Sequence, residues 1–343
     1  MVIAVQFHES LGIVLAPYLV YENDNGGFSY FSKRLNSVTL SDHFENPGKN
    51  ERELVNILES CRDEELMRYF SKKAKTVSDF YNELTESRLK SIIIPYVQKR
   101  TDKCLRIMRD SNMPLFIKGW KKDPVRSAPV IIQKEEARVI FNFTKKTTES
   151  HYYLNLHHCG NDIYLKNEGS LVLTDSPGWI LTGGNVYLLE SGIEGIKLKP
   201  FFSKDYVIIP GSAEQKYFRG FVSGIIKKHE VRTKGIQFNV ITPACVPVLN
   251  LENDLQGKPV LMLYFTYINK KCQFNDSNRC WVDFHASEGN YSFIKIIRSK
   301  EAENNFIEML IEKGLSSKDF SAFYVTLNNQ GVKTGYITNT NLH

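Results

Sequence analysis

The sequence predicts an α+β protein, because its periodicity changes between three successive regions. Residues 1–31 hold apolar runs separated by turn residues, as in hairpins. Residues 50–112 have apolar side chains at helical spacing, and residues 114–210 are short β-type runs between turn residues. We therefore expect an N-terminal hairpin and helical segment, followed by an antiparallel β-rich meander or barrel with one or two packed helices.

The composition is that of a globular chain of about two domains, each of roughly 100–200 residues. Of its 343 residues, 42% are hydrophobic and 24% are charged, which excludes a disordered or collagen-like chain. The net charge is mildly basic, at +6. We expect a cytoplasmic protein without membrane association. The opening apolar run ends too early for a signal peptide, residues 260–268 are too short to span a bilayer, and the six cysteines are scattered.

The first two regions predict hairpins and then helices. Apolar runs at 2–7 and 11–21 precede an Asn-Asp-Asn-Gly-Gly turn at 23–27. The stretch 50–112 has no glycine and a single proline, and its apolar spacing predicts three or four helices. Proline lacks the N–H that a helix interior needs, so the last helix is expected to be kinked or to restart at Pro95.

The third region predicts an antiparallel meander or small barrel. Six short β-type runs follow one another, at the spacing that hairpin connections give: ARVIFNF, HYYLNLH, NDIYLK, SLVLTD, GWILTGG and NVYLLE.

Residues 212–229 give the clearest helical pattern in the chain. Ser212 and Gln215 are spaced as a capping box. The predicted apolar stripe consists of Ala213, Tyr217, Phe218, Phe221, Val222, Ile225 and Ile226. Strands, a helix at about 300–313, a further strand and a polar tail are expected after it. The predicted segments are 1–113 (strands and helices), 114–211 (meander), 212–330 (helix and antiparallel sheet) and 331–343 (tail).

The motifs of several enzyme classes are absent from the sequence. No segment fits a phosphate-binding loop, a Walker-type magnesium box, a dinucleotide fingerprint, a G-x-S-x-G elbow or H-E-x-x-H. We therefore expect this chain to have no enzymatic activity and no cofactor.

A cluster of histidines with one cysteine does not predict a metal site. His151, His157, His158 and Cys159 lie close in sequence, but adjacent strand residues such as His157 and His158 point to opposite faces. The spacing favours turn histidines and buried thiols over a zinc site. The carboxylate pairs Glu64-Glu65 and Glu135-Glu136 are interpreted as solvated charge. A hydrolase with a Cys or His site in the meander stays the least favoured alternative.

Basic residues are the strongest local signal, and they form two sets. The stretch 86–122 has ten Lys and Arg against three Asp and Glu, and within it Lys99, Lys103 and Arg106 share one helix face. The second set, Lys216, Arg219, Lys227 and Lys228, lies opposite the apolar stripe of helix 212–229, with the small residues Gly220 and Ser223 in between. A ridge of cations binds phosphates without sequence preference. The alternative is a solvated face that is balanced by acidic residues elsewhere in the fold.

The stretch KLKPFFSKDYVIIPGSAEQKYFRGFVSGIIKKHEVRTKG, residues 197–235, resembles the N-terminal accessory region of bacterial SWI/SNF-like DNA helicases of the Bacteroidetes type. The family pattern is a KL-PF-K strand, then IP, then E-KYF--FV on a helix. Two more blocks are similar, VPVLNLENDLQGKPVLMLYFTY and GNYSFIKIIRSKEAENNFIEMLIEKGL. The resemblance covers about residues 190–315.

In that family two RecA-like ATPase lobes lie C-terminal to this region, and none of their motifs is present here. The resemblance therefore implies either a piece of a helicase or a free-standing relative. It implies a non-catalytic accessory region that contacts the DNA backbone or docks on the motor lobes. The expected contact residues are Lys99, Lys103, Arg106, Lys216, Arg219, Lys227 and Lys228. The alternative is a protein–protein scaffold that uses the meander and has no nucleic-acid role.

Overall fold

The computed structural model describes residues 1–120, 122–253, 257, 259–287, 289–312, 322–328 and 331–336. The fold is α+β, as the sequence predicts, and no sheet among these residues closes into a barrel. The chain divides into two compact units: Met1–Asn142 with Tyr152–Val207, and Phe143–His151 with Ile208–His343. The second unit therefore includes residues 143–151, although the residues on both sides of this segment belong to the first unit.

The first unit begins with a sheet in the order β3-β2-β1-β4. Its strands are β1 (Val2–His8), β2 (Gly12–Glu22), β3 (Phe28–Arg34) and β4 (Leu115–Ile117). β1 and β2 form the predicted hairpin, whereas β4 lies parallel to β1. Alternate residues point to opposite faces, so Ile3 and Val5 enter one apolar core while Ala4 enters another.

Helices lie between β3 and β4, as the spacing of apolar residues predicts. They are α1 (Ser37–His43), α2 (Lys49–Glu59), α3 (Asp63–Phe70), α4 (Val77–Glu83), α5 (Glu86–Arg88) and α6 (Ile94–Asp110). A π-helical turn, Leu89–Ile93, joins α5 to α6. Pro95 is the second residue of α6, but the helical backbone continues from the π turn through Ile93 and Ile94, so the helix does not restart at Pro95.

The six β-type runs are confirmed as six strands. The strands of this region are β5 (Ile131–Ile132), β6 (Arg138–Lys145), β7 (Glu149–His158), β8 (Asn161–Tyr164), β9 (Leu171–Thr174), β10 (Trp179–Thr182) and β11 (Asn185–Leu188). β9, β10 and β11 form an antiparallel meander, and β5 joins β11 in parallel. A 3-10 helix, Gly195–Phe202, follows.

The structure divides this part of the chain differently from the predicted boundary at residue 113. Leu105 of α6, Ile3 of β1 and Trp179 of β10 share one core, and β4 completes the N-terminal sheet. The predicted segments 1–113 and 114–211 therefore fold largely together. Parallel pairing between strands that are distant in sequence has no local sequence signal.

Among the described residues, the second unit holds most of the remaining strands and three α-helices. Its elements are β12 (Val207–Pro210, of which Val207 belongs to the first unit), α7 (Gly211–Tyr217), α8 (Ser223–Lys228), β13 (Glu230–Lys234), β14 (Gln237–Ile241), β15 (Val246–Asn253), β16 (Pro259–Tyr267), β17 (Lys270–Cys272), β18 (Cys280–Ser287), β19 (Asn290–Ile297), α9 (Lys300–Glu312), β20 (Ala322–Asn328) and β21 (Gly331–Tyr336). One sheet has the order β14-β19-β18, and another has the order β15-β16-β20-β21 with β17 beside β16.

Residues 331–343 do not match the predicted tail throughout. β21 occupies residues 331–336 and pairs antiparallel with β20. The rest of the predicted tail lies outside the described residues. Within the part of the chain that is described, no helix combines the length and the apolar character needed to cross a bilayer.

Candidate nucleic-acid interface

The clearest candidate interface is one helix of the second unit, residues 211–228, which we call the basic helix. It consists of α7, a π-helical turn at Phe218–Val222, and α8. The predicted capping box is wrong: the helix begins at Gly211 with Pro210 as N-cap, and no side chain bonds the cap. Gly211 is needed there because an added Cβ would lie 2.6 Å from the carbonyl oxygen of Thr148.

The inner face of the basic helix is narrower than the predicted stripe. Phe218, Val222 and Ile226 are fully buried, whereas Ala213 and Phe221 are exposed. The buried residues recur every four positions, because the π turn adds a residue and shifts the helical phase. The Phe218 ring meets the Tyr291 ring edge-on at 4.8 Å between centroids, which fixes the helix against β19.

The single carboxylate of the basic helix points inward. Both carboxylate oxygens of Glu214 accept from Lys145 Nζ, at 2.9 and 2.8 Å, and Oε1 also accepts from Ser150 at 2.7 Å. Burial raises the pKa of Glu214, but hydrogen bonds from Lys145, Ser150 and Tyr291 outweigh burial and lower the pKa below its ordinary value. The Glu214 charge is thus compensated within the fold, and it does not offset the cations on the outer face.

The outer face of the basic helix carries four exposed cations, Lys216, Arg219, Lys227 and Lys228. None of the four forms an ion pair with another described residue. Gly220 and Gly224 lie on the same side, and an added Cβ at either would meet no atom within 4 Å. Ser223 differs from expectation: it is buried and donates to the Phe218 carbonyl oxygen at 3.1 Å, so its hydroxyl is not available to a phosphate.

The cations predicted on α6, in the first unit, are mostly paired within the protein. Lys103 Nζ lies 2.7 Å from a carboxylate oxygen of Glu53 on α2. Arg106 Nε lies 2.9 Å from Oδ1 of Asp102. Lys99 is exposed and has no such partner among the described residues. These residues line an open groove of about 800 Å³ between α2 and α6.

Other cations of the basic stretch 86–122 are likewise engaged. Lys90 pairs with Glu86 and Arg109 with Asp110. Arg100 donates to Ser60 and lies over the Tyr96 ring. Glu86, Asp102 and Asp110 belong to the stretch 86–122 itself, so their ion pairs leave its net charge unchanged. Glu53 is the carboxylate from outside the stretch that pairs with one of these cations, Lys103.

Strand geometry predicts that His157 and His158 point to opposite faces, and the two side chains have different partners. His157 Nδ1 lies 2.7 Å from Asp162 Oδ1. His158 Nε2, by contrast, lies 3.6 Å from Cys159 Sγ and 3.8 Å from Glu135 Oε2.

Cys61, Cys104, Cys272 and Cys280 are buried, whereas Cys159, for which the sequence favours a buried thiol, is exposed. Glu135, which the sequence suggests is solvated charge, lies beside His158. Its approach to His158 depends on packing between distant segments and has no local signal.

Comparisons of this chain with protein-family models, with curated proteins and with solved structures found no match.

Proposed function

We propose that this chain is a non-catalytic accessory region of a SWI/SNF-like DNA helicase or translocase, and that its basic helix contacts the DNA backbone. The observation that carries the proposal is the division of charge across that helix. Its one carboxylate is buried and neutralised by Lys145, while its four cations face solvent and form no ion pair with another described residue.

The spacing of the four cations suits a run of phosphates. Residues 216 and 228 are about 18 Å apart along a helix that rises about 1.5 Å per residue. Duplex DNA carries one backbone charge per about 1.7 Å of its axis, so this length faces about ten charges on the two strands. Phosphate contacts carry no sequence information, so the interface binds DNA without strong sequence preference.

The same residues also suit the second role implied by the resemblance, docking on an acidic surface of the motor lobes. The α6 cations contribute less to either role, because Lys103 and Arg106 already bind carboxylates. The scaffold alternative draws support from large apolar side chains of the segment 114–211 that are more than half exposed, namely Trp120, Ile131 and Tyr164.

The test is fluorescence anisotropy with short single- and double-stranded DNA over about 50–200 mM salt, a range in which phosphate contacts weaken strongly. Four contacts predict a slope of log affinity against log salt of about −3 to −4 on duplex DNA, with affinity falling on the order of a hundredfold over that range. Lys216→Glu, Arg219→Glu and Lys227→Glu combined should abolish binding.

The matched control combines Lys72→Glu, Lys73→Glu and Lys75→Glu, three exposed lysines of the first unit. Both triple variants have the same net charge, so only a local effect separates them. Equal loss in the two variants, or no binding by the wild-type chain at low salt, would overturn the DNA interface. Salt-insensitive binding to a protein partner would instead favour the scaffold.

A further inference from the structure

We propose that Glu135, His158 and Cys159 form a binding site for a divalent transition-metal ion of the Zn²⁺ class in the first unit. The three side chains offer one carboxylate oxygen, one imidazole nitrogen and one sulfur. This site is independent of the basic helix and of the proposed DNA contact.

The distances between the ligand atoms are close to those of a tetrahedral metal site. Nε2 of His158 lies 3.6 Å from Sγ of Cys159 and 3.8 Å from Oε2 of Glu135, and the sulfur lies 4.0 Å from that oxygen. Bonds of about 2.3 Å to sulfur and about 2.0 Å to nitrogen and oxygen place tetrahedral ligands about 3.3–3.6 Å apart. A contraction of a few tenths of an ångström therefore closes the triangle round an ion.

A metal site and a catalytic relay differ in which nitrogen of the His158 ring the neighbouring groups approach. In a Cys-His-carboxylate relay the thiol and the carboxylate bind opposite nitrogens of the imidazole, because the carboxylate orients the ring from its far side. Here Cys159 and Glu135 both approach Nε2 of His158. Because both groups approach the same nitrogen, the arrangement suits coordination of one cation and does not suit a proton relay through the imidazole ring.

The hairpin between β7 and β8 presents two of the three ligands, His158 and Cys159, whereas Glu135 precedes β6. Asn161 pairs with His158, so Cys159 and Gly160 form a two-residue turn, with φ of +48° and +84°. Such turns favour Asn or Gly at the first position. The His158 ring packs edge-on against Tyr187, at 5.2 Å between centroids, which restrains its orientation.

The donor set suits a borderline-soft ion and leaves one position open. Thiolate and imidazole select Zn²⁺ over Mg²⁺ or Ca²⁺, which prefer oxygen ligands. Three protein ligands leave the fourth tetrahedral position for water. Binding displaces the thiol proton of Cys159, because the thiolate is the form that coordinates a metal ion.

The test is a titration of the metal-stripped, reduced full chain with Co²⁺, followed by absorption. We expect one equivalent to produce a thiolate-to-cobalt charge-transfer band and the intense visible bands of tetrahedral Co²⁺, both abolished by added Zn²⁺. Cys159→Ser should remove the charge-transfer band, and His158→Gln and Glu135→Gln should each weaken binding by at least about tenfold.

The matched control is His157→Gln, which changes the neighbouring histidine that bonds Asp162 on the other strand face. It should bind Co²⁺ as the wild-type chain does. Three outcomes would overturn the site. The charge-transfer band could persist in Cys159→Ser, or His157→Gln could weaken Co²⁺ binding as much as His158→Gln does. The third is that the wild-type chain, with a native circular dichroism spectrum, shows no saturable band. Circular dichroism of each variant separates lost ligation from lost folding.

Discussion

The ammonium group of Lys145 lies 2.8 and 2.9 Å from the two carboxylate oxygens of Glu214. Lys145 ends β6 in the hairpin segment 143–151, and Glu214 lies in the first turns of the basic helix, so the pair fastens the helix to the hairpin within the second unit. Ser150 supplies a further hydrogen bond to Glu214 from the same hairpin. The helix is thereby oriented with its carboxylate inward and its lysines outward.

Glu214→Gln should destabilise the second unit. The change leaves the Lys145 ammonium beside a neutral amide in a largely buried site. Breaking a fully buried pair costs roughly 3–5 kcal/mol, and we expect about 2–3 kcal/mol here because the Lys145 side chain retains contact with water. Urea unfolding at neutral pH measures the loss. Glu301→Gln, an exposed carboxylate at the start of α9, is the control and should change the free energy of unfolding by less than about 0.5 kcal/mol.

The same pair predicts a pH dependence. The pKa of Glu214 is lowered in the folded chain, so its contribution to stability is fully present above the ordinary glutamate value of 4.5. That contribution is lost as the pH falls from 4.5 through the folded-state pKa. Wild type should therefore lose more stability than Glu214→Gln on acidification through this range. Parallel losses in the two proteins, measured by urea unfolding at stepped pH, would contradict the prediction.

Arg298→Lys should be strongly destabilising although it conserves the charge. The buried guanidinium pairs with Glu303, at 2.5 and 2.7 Å, and also donates to backbone carbonyls of the loop 273–278. An ammonium has three donors and no planar fork, so several carbonyl oxygens lose their partner, at a total cost of about 3 kcal/mol.

Hydrogen exchange of residues 259–312 and urea unfolding measure the effect of Arg298→Lys. Arg232→Lys changes an exposed arginine that pairs with Glu230, and it serves as the control. Similar exchange in the two variants would show that the fork geometry at Arg298 is unimportant.

Asp102→Ala should destabilise the first unit by about 1–3 kcal/mol, because it leaves a buried indole N–H without an acceptor. Oδ1 of Asp102 accepts from Nε1 of the fully buried Trp179 at 2.8 Å, and it also binds Arg106. Asp102→Asn keeps an acceptor and should cost less. Denaturant unfolding followed by tryptophan fluorescence measures both. Asp110→Ala, an exposed site on the same helix, should be nearly neutral; a loss equal to that of Asp102→Ala would contradict the argument.

Cys159→Asn should stabilise the metal-free chain by about 0.5–1 kcal/mol, because asparagine adopts the left-handed conformation more readily than cysteine. The φ of Cys159 is +48°. Thermal and urea unfolding in the presence of chelator measure the gain. Cys159→Ala also removes the thiol but retains the backbone strain, so it should show no gain. An equal gain in both variants would assign the effect to the sulfur and not to the turn.

The sequence predicts the parts of this fold that depend on neighbouring residues. The six strand runs and the outward cations of the basic helix follow from local periodicity. The π turn at Phe218–Val222 shifts the phase of the buried residues, and a single 3.6-residue period does not reveal such an insertion.

The rest depends on long-range packing. The parallel pairing of β1 with β4 and of β14 with β19 joins distant segments without a local signal. Packing between α2 and α6 likewise brings Glu53 to Lys103, and it turns a predicted contact residue into an ion-paired one. Glu135 comes beside His158 in the same way. Local charge and spacing therefore gave candidate residues, but their partners came only from the tertiary fold.

The position of segment 143–151 in the sequence affects the order in which the two units can fold during synthesis. A ribosome delivers Lys145 and Ser150 before residues 152–207, and Glu214 only after them. Once residue 207 has been added, the nascent chain contains the whole sequence of the first unit. Glu214, the ion-pair partner of Lys145, has not yet been synthesised at that point. During translation, the first unit is free to mature early, and the second closes only after the basic helix has emerged.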